Sequence, residues 1–136
     1  MVKLRNEIVV FEHNRRAEPP VNLAELARRC GYKVNRVAKI LEISTRQLER
    51  QFLDALGVTP KYWMRLQRSI RARHLIREGT PLKAVALELG FVKYDKFAQE
   101  MRHFYNLNPM EIVSQERRNC YDAALFQDDP EQHEPD

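Results

Sequence analysis

Three charged residues in one short segment have the chemistry to bind the edges of base pairs. Arg46 and Arg50 are four residues apart, so a helix would carry both on the same side. An arginine can donate two hydrogen bonds to guanine O6 and N7, and Glu49 can accept one from cytosine N4. Charges at this spacing also stabilise ordinary surface helices, so this pattern alone leaves both interpretations open.

A second segment carries a weaker set of the same kind. Gln99 can bind adenine, and Tyr94 or Lys96 can hold a phosphate, whereas Asp95 would face a negatively charged groove. An acid in the first turn of a helix complements the helix dipole, which gives Asp95 a structural role. Lys93 stands at the expected N-cap position and is a poor cap. We therefore expect this helix to supply contacts to the DNA backbone more than base readout.

The segment between the two sets is rich in arginine and has no acidic residue between Lys61 and Glu78. Its arginines could form a stripe that faces phosphates, or they could lie over Trp63 and its apolar neighbours. Both interpretations stay open. The arginines are Arg65, Arg68, Arg71, Arg73 and Arg77. The predicted phosphate contacts are Thr45, Arg65, Arg68, Lys93 and Lys96.

The charge of the chain is unevenly distributed. Residues 122–136 contain six acids and no lysine or arginine, which leaves 13 acids against 23 bases, a net charge of +10, in residues 1–121. A positive body suits a polyanion, and nucleic acid is the commonest one. We expect the acidic tail to be solvated and disordered, and a sharper hypothesis is that it competes weakly with DNA for the basic face.

Several other classes of protein are disfavoured. No apolar run approaches the length of a membrane span, and Lys3, Arg5 and Glu7 interrupt any signal peptide, so a cytoplasmic location is expected. Two distant cysteines and four scattered histidines form neither a disulfide framework nor a metal or catalytic pattern. We therefore expect no enzyme, no metal and no cofactor, with both cysteines acting as small apolar residues.

The helices that must position these residues follow from start signals and apolar spacing. Expected helices cover about 23–30, 35–41, 45–56, 60–78, 82–89, 94–105 and 109–118. Their start signals are Asn22, the Ser44-x-x-Gln47 capping box, Thr59-Pro60, Thr80-Pro81 and Asn108-Pro109. Residues 1–22 are the least readable part: Ile8–Phe11 is prone to form a strand, and the segment is an arm, a short strand or a remnant of expression.

A repeated plan emerges, in which a short helix, a tight turn and a longer helix occur at 35–56 and again at 82–105. A helix-turn-helix needs a small residue in its first helix and an apolar anchor in its second. Ala38 with Leu48 and Ala86 with Phe97 meet this need. The sequence thus predicts an all-α fold of two helix-turn-helix subdomains joined by a long linker helix. The predicted parts are an N-terminal arm (1–22), a first subdomain (23–60), the linker helix (61–78), a second subdomain (79–118) and an acidic tail (119–136).

Specific motifs recur at fixed spacing over residues 35–113. They comprise Val37-Ala38-Lys39-Ile40-Leu41, Ile43-Ser44, Arg46, Leu48, Arg50 and Phe52, then Leu56-Gly57-Val58-Thr59-Pro60, Arg68, Ala72 and Leu75-Ile76, then Val85-Ala86, Leu89-Gly90-Phe91, Phe97, Phe104-Tyr105 and Pro109. With these motifs, the chain resembles the DNA-binding domain of the AraC/XylS family of bacterial transcription regulators.

The resemblance implies a double-stranded DNA partner, with RNA polymerase as a further one, and two recognition helices in successive major-groove segments. These helices would be exposed, roughly parallel and about 34 Å apart. The base contacts it implies are Arg46, Glu49 and Arg50, and then Tyr94, Asp95, Ala98 and Gln99. Residues 1–22 are too few for an effector-sensing domain, so a small-molecule effector is not expected on this chain alone.

The sequence departs from the family pattern mainly in the second unit. Lys93 replaces a small polar cap, Met101 an aromatic residue and Asn106 a glycine. In the first unit Glu42 stands where the family has glycine, so a left-handed turn there would cost about 1 kcal/mol.

A rival interpretation is a helix-turn-helix module that binds protein and does not read DNA. Its support comes from Glu49 and Asp95 on the two reading faces and from the acidic tail, and the charge of residues 1–121 argues against it.

Overall fold

The computed structural model of the chain describes residues 1–13 and 18–119. The expectations about the acidic tail and about Cys120 lie outside these residues. In the described part the strands are β1 (Val2–Arg5), β2 (Ile8–Phe11) and β3 (Val21–Asn22). The helices are α1 (Leu23–Arg29), α2 (Val34–Ile40), α3 (Thr45–Leu56), α4 (Pro60–Arg77), α5 (Leu82–Glu88), α6 (Tyr94–Tyr105) and α7 (109–119). The mostly helical fold with two helix-turn-helix units, α2–α3 and α5–α6, confirms the predicted class.

The chain divides into two compact units, Met1–Arg68 and Ser69–Asp136, and the division falls within α4. The first unit includes a small antiparallel sheet of order β1-β2-β3. A two-residue turn joins β1 to β2, with positive φ at both Asn6 (50°) and Glu7 (67°). This turn conformation matches the twist of paired strands, although glycine is the usual residue there.

The sheet occupies the segment that was expected to be an arm, with a short strand as an alternative. Val2 and Phe11 are opposite each other in the β1–β2 register, and both are buried in the core of the first unit. The sequence signal was weak because pairing between strands depends on distant residues, and because Asn6-Glu7 is not a strong turn signal.

Apolar residues from the sheet, from α1 to α3 and from the start of α4 form the core of the first unit. Leu48 and Phe52 on α3 are fully buried, and the Phe52 ring packs on Trp63 with centroids 5.3 Å apart. Cys30 is buried in the same cluster, and burial raises the pKa of its thiol. A thiol in this environment is unreactive and packs as a small apolar group.

Ion pairs and hydrogen bonds join the helices of the second unit around a small apolar core. Buried core residues are Ala72, Leu75, Ile76, Val85, Ala86, Leu89, Phe97, Met101 and Ile112. Beside them, Glu116 on α7 is buried and accepts hydrogen bonds from Arg73 (3.0 Å) and Arg77 (3.1 Å) on α4. The Tyr105 hydroxyl donates to the Ser69 carbonyl at 2.7 Å, and the Arg73 guanidinium lies over the Tyr105 ring, 4.7 Å from its centroid.

The predicted helix starts are confirmed except for one. Asn22, Ser44, Thr59 and Asn108 each accept a hydrogen bond from a backbone N–H three residues ahead. Thr80 does not cap α5, whose N-cap is Pro81 without a side-chain hydrogen bond. The Thr80 N–H instead donates to the Leu75 carbonyl at 3.0 Å, so this residue ends α4. The turn that ends α4 and the start of α5 are adjacent in the chain, and Thr80 belongs to the turn.

Candidate functional site

The first unit fixes its second helix by a turn, a cap and an anchor. The turn reverses at Glu42, which has φ of 59°, and the Ile43 N–H donates to the Ala38 carbonyl at 3.1 Å. This left-handed conformation is the one expected for Glu42, and it is strained for a residue with a side chain. Ser44 and Gln47 then form the predicted reciprocal capping box at the start of α3. Leu48, fully buried, pins the helix one turn later.

The second unit repeats the turn with one residue more. Gly90 takes the left-handed conformation with φ of 82°, and the Phe91 N–H donates to the Ala86 carbonyl at 3.0 Å. Lys93 makes no side-chain hydrogen bond as N-cap, as its poor capping chemistry predicts. The rings of Phe91 and Tyr94 each lie 5.5 Å from the buried Phe97 ring, so an aromatic cluster holds the start of α6.

The outer face of α3 carries the predicted reading residues of the first unit. Arg46, Glu49 and Arg50 are exposed, and Thr45 is exposed at the start of the same helix. The buried face of the helix carries Leu48 and Phe52. Helical geometry places a wide basic and polar surface opposite the core.

The structure adds Leu53 to this face, which sequence reasoning missed. Leu53 lies three residues after Arg50 and four after Glu49, on the same side of α3, and it is half exposed. An exposed leucine at this place can contact the methyl group of thymine. The sequence did hold a signal for this exposure. The apolar residues Leu48, Phe52 and Leu56 are four residues apart and face the core, and Leu53 falls outside that spacing.

The outer face of α6 differs in chemistry. Asp95, Lys96 and Gln99 are exposed, Ala98 is half-buried, and Lys93 precedes them as an exposed residue. Tyr94 is partly covered, and burial raises the pKa of its hydroxyl, so it stays protonated and able to donate. Arg102, also missed from the sequence, is exposed at the α6 position that corresponds to Leu53.

The arginines of α4 separate into two groups. Arg73 and Arg77 bind Glu116, and Arg71 lies 3.9 Å from the carboxylate of Glu88. Hydrogen bonds from Arg77 and Arg73 hold the pKa of Glu116 below its usual value although burial acts in the opposite direction. Three of the five arginines that could form a stripe facing phosphates therefore face carboxylates instead. The other two, Arg65 and Arg68, are both partly exposed.

Metal-holding clusters and membrane-spanning helices are both absent from the residues that the structure describes. No group of three or more histidine, cysteine, aspartate or glutamate side chains there could hold a metal ion. Within residues 1–13 and 18–119, none of the helices combines the length and apolar character that crossing a membrane requires.

Comparisons with known proteins agree with this geometry. Residues 37–115 match a family model described as a helix-turn-helix domain. The chain is 32% identical over 90 residues to the HTH-type transcriptional activator RhaS of Enterobacter sp. (strain 638), covering 65% of this chain and 31% of that protein. RhaS of Escherichia coli O139:H28 is 32% identical over 77 residues, covering 56% of this chain and 28% of that protein. The chain therefore spans about a third of the length of these curated relatives.

Solved structures of other proteins share the fold of this chain. A transcriptional regulator from Chromobacterium violaceum, described as AraC-type DNA-binding domain-containing, is 29% identical with a TM-score of 0.57, over 62% of this chain and 76% of that one. The DNA-binding domain of AdpA in complex with a target DNA shares the fold at 21% identity, with a TM-score of 0.61 over 71% of this chain and 91% of that one.

Proposed function

Because the chain belongs to the AraC/XylS family of DNA-binding transcription regulators, we propose that it binds double-stranded DNA sequence-selectively, with α3 and α6 in major-groove segments. The observation that carries this proposal is the outer face of α3. Arg46, Glu49 and Arg50 are exposed together on a helix whose other side is anchored by the fully buried Leu48. A major groove admits a helix presented in this way.

Roles for the α3 residues follow from hydrogen-bonding chemistry. Arg46 and Arg50 each donate to guanine O6 and N7, Glu49 accepts from cytosine N4, and Leu53 contacts a thymine methyl. Thr45, at the start of the helix, donates to a phosphate. The first unit thus reads sequence with two cations, one acceptor and one apolar group.

In the second unit, the outer face of α6 carries one arginine, Arg102, where that of α3 carries two. Gln99 binds adenine, and Tyr94, Asp95 and Ala98 complete the reading face proposed from the family pattern. Lys93 and Lys96 hold phosphates, as do Arg65 and Arg68 on α4. Phosphate contacts fix position on the duplex without reading sequence, so we propose that specificity comes mainly from α3.

The biological setting is proposed on the same basis. The two relatives named RhaS are described as transcriptional activators, and an activator acts through RNA polymerase, which is therefore the proposed second partner. A bacterial regulator meets DNA in the cytoplasm, and we propose that location for this one.

The first test is selection of bound sequences from a random duplex pool, followed by Arg50→Ala. Arg50→Ala is expected to cost about 1–3 kcal/mol on the selected site and to relax preference at one base pair. Arg50→Lys should recover affinity without the full preference, because lysine lacks the planar fork. Lys96→Ala is the matched control, and it should weaken all sequences equally.

The salt dependence of binding provides the second measurement. Contacts to about five to eight phosphates should lower log K by about 5–7 for each decade of salt. Two half-sites about 34 Å apart in the selected pool would support reading by both helices. An Arg50→Ala variant with unaltered preference would show that the assigned reading face is wrong. A chain that binds no duplex at low salt would favour the rival protein-interaction module.

A further inference from the structure

An apolar cavity of about 700 Å³ opens on the second unit, where nothing proposed so far uses it. Its apolar lining comes from the end of α4, the start of α5, the start of α6 and one side of α7. These residues are Ile76, Pro81, Leu82, Tyr94, Met110 and Val113. Met110 is 63% exposed, an unusual state for a large apolar side chain that faces a concave surface. The cavity therefore has the shape and lining of a docking groove.

Cations surround the apolar lining. Lys83 and Arg117 line the groove and are exposed, and Arg77 lines it while also binding Glu116. The carboxylate of Glu116 is thus engaged by arginines of α4, and the rim keeps a positive balance. A fitting occupant carries large apolar groups together with carboxylates.

The sequence that follows α7 has this chemistry. After residue 119 the chain continues Cys-Tyr-Asp-Ala-Ala-Leu-Phe-Gln-Asp-Asp, so an apolar pair, Leu125-Phe126, precedes the acids Asp128 and Asp129. It is joined directly to the helix that forms one side of the groove. An internal segment meets its binding surface at a high effective concentration, so even a weak match is occupied.

Distance permits the contact. Along α7 the groove extends from Met110 to Arg117, about 10 Å at the helical rise. Six extended residues beyond 119 reach about 20 Å, which is enough to return Leu125 and Phe126 to the Met110 end.

We propose that residues 121–129 bind this groove within the same chain, with Leu125 and Phe126 on Met110 and Val113 and the acids beside the rim cations. Tyr94 belongs both to the groove and to the proposed reading face of α6. Occupancy therefore hinders α6 from binding DNA, a consequence that rests on the proposed function, whereas the docking itself does not.

The test places a photoreactive p-benzoylphenylalanine at position 126 of the full chain, in dilute solution without DNA. Illumination and peptide mass spectrometry should locate links within one molecule, to residues 76–83 and 110–117. The same group at His133, beyond the proposed contact, is the matched control and should give about ten-fold less of these links. Met110→Asp, a change at an exposed position, should lower the yield from position 126 by about ten-fold.

Three outcomes would overturn the proposal. They are links from position 126 to other surfaces, links between two molecules, and a yield that Met110→Asp leaves unchanged while circular dichroism shows intact helices. Links between molecules would assign the groove to a second copy. Because DNA is absent, failure of docking is distinguishable from failure of the DNA-binding function.

Discussion

The helices α3 and α6 occupy equivalent positions in their units and are held there by different means. Both are twelve residues long and end in a left-handed residue, Gly57 after α3 and Asn106 after α6. A capping box starts α3, and its Gln51 side chain accepts a hydrogen bond from the Val2 N–H of β1 at 3.0 Å. The N-cap of α6 makes no side-chain hydrogen bond, and an aromatic cluster supports it instead.

The comparison separates the features that both units share from those that vary. A buried anchor and a left-handed turn occur in both units, whereas the cap, the turn length and the surface charges all vary. Packing and backbone geometry define a helix-turn-helix, and its exposed face is free to change chemistry. Four experiments test this comparison.

The largest expected effect comes from the anchors. Phe97→Ala should lower the free energy of unfolding by about 3–5 kcal/mol, since a fully buried ring is lost from its contacts with Phe91 and Tyr94. Leu48→Ala should cost about 2–5 kcal/mol by the same mechanism. Denaturant unfolding followed by circular dichroism measures both. If either anchor variant lost less than about 1 kcal/mol, its unit would not depend on the anchor, and the conservative Phe97→Leu should lose least.

The next effect concerns the ion pairs of the buried Glu116 in the second unit. Glu116→Gln should cost about 2 kcal/mol near neutral pH, because charged hydrogen bonds to Arg73 and Arg77 are weakened in a buried place. The folded pKa of Glu116 lies below its ordinary value of 4.5. Its contribution is therefore complete above that value and is lost as pH falls through the folded pKa.

Acid titration of stability checks this pair. The wild-type chain should lose stability more steeply below about pH 4.5 than Glu116→Gln does. Equal slopes in the two proteins would show that Glu116 gains nothing from folding. Glu111→Gln, at an exposed residue that caps α7, is the matched control.

A smaller effect, of opposite sign in the two units, is expected at the caps. Ser44→Ala should cost about 1 kcal/mol, and Lys93→Ser should gain about 0.5–1 kcal/mol by giving α6 the cap it lacks. Lys93→Ser should at the same time weaken DNA binding at low salt, since the proposed phosphate contact is removed. Thermal unfolding and DNA titration of the same samples separate the two effects. A destabilised Lys93→Ser would mean that the lysine supports the turn.

The smallest effect is at the two turn residues. Glu42→Gly should gain up to about 1 kcal/mol, because glycine adopts a φ of 59° without strain, offset by its greater freedom when unfolded. Gly90→Ala should lose about 1 kcal/mol for the converse reason. A Glu42→Gly variant that is clearly less stable would reveal a contact of the glutamate that outweighs the strain.

The parts of the molecule that the sequence predicted are those fixed by local chemistry. The bounds of α3 followed from its capping box and Gly57, and those of α6 from the repeated plan with its anchor Phe97. The strain at Glu42 followed from the position of the turn. A short strand at Ile8–Phe11 was among the alternatives, but its pairing with Val2–Arg5 and Val21–Asn22 into a sheet was not predicted, since strand pairing depends on distant residues. Leu53 and Arg102 were missed because exposure depends on which neighbours cover a side chain. The ion pairs of Arg73 and Arg77 depend on α7, some forty residues away in the chain.

The loop between α5 and α6 is one residue longer than the loop between α2 and α3, and the extra residue precedes the N-cap of α6. The loop 41–44 has four residues and the loop 89–93 has five, yet from N-cap to left-handed end the two helices correspond one to one. Each position on the outer face of α3 therefore has a counterpart on the outer face of α6. Transplanting the quartet Arg46, Glu49, Arg50 and Leu53 onto Asp95, Ala98, Gln99 and Arg102 would change three exposed positions and one half-buried position and leave the loop unaltered. Under the proposed function, the engineered chain would then prefer the same base sequence in both half-sites.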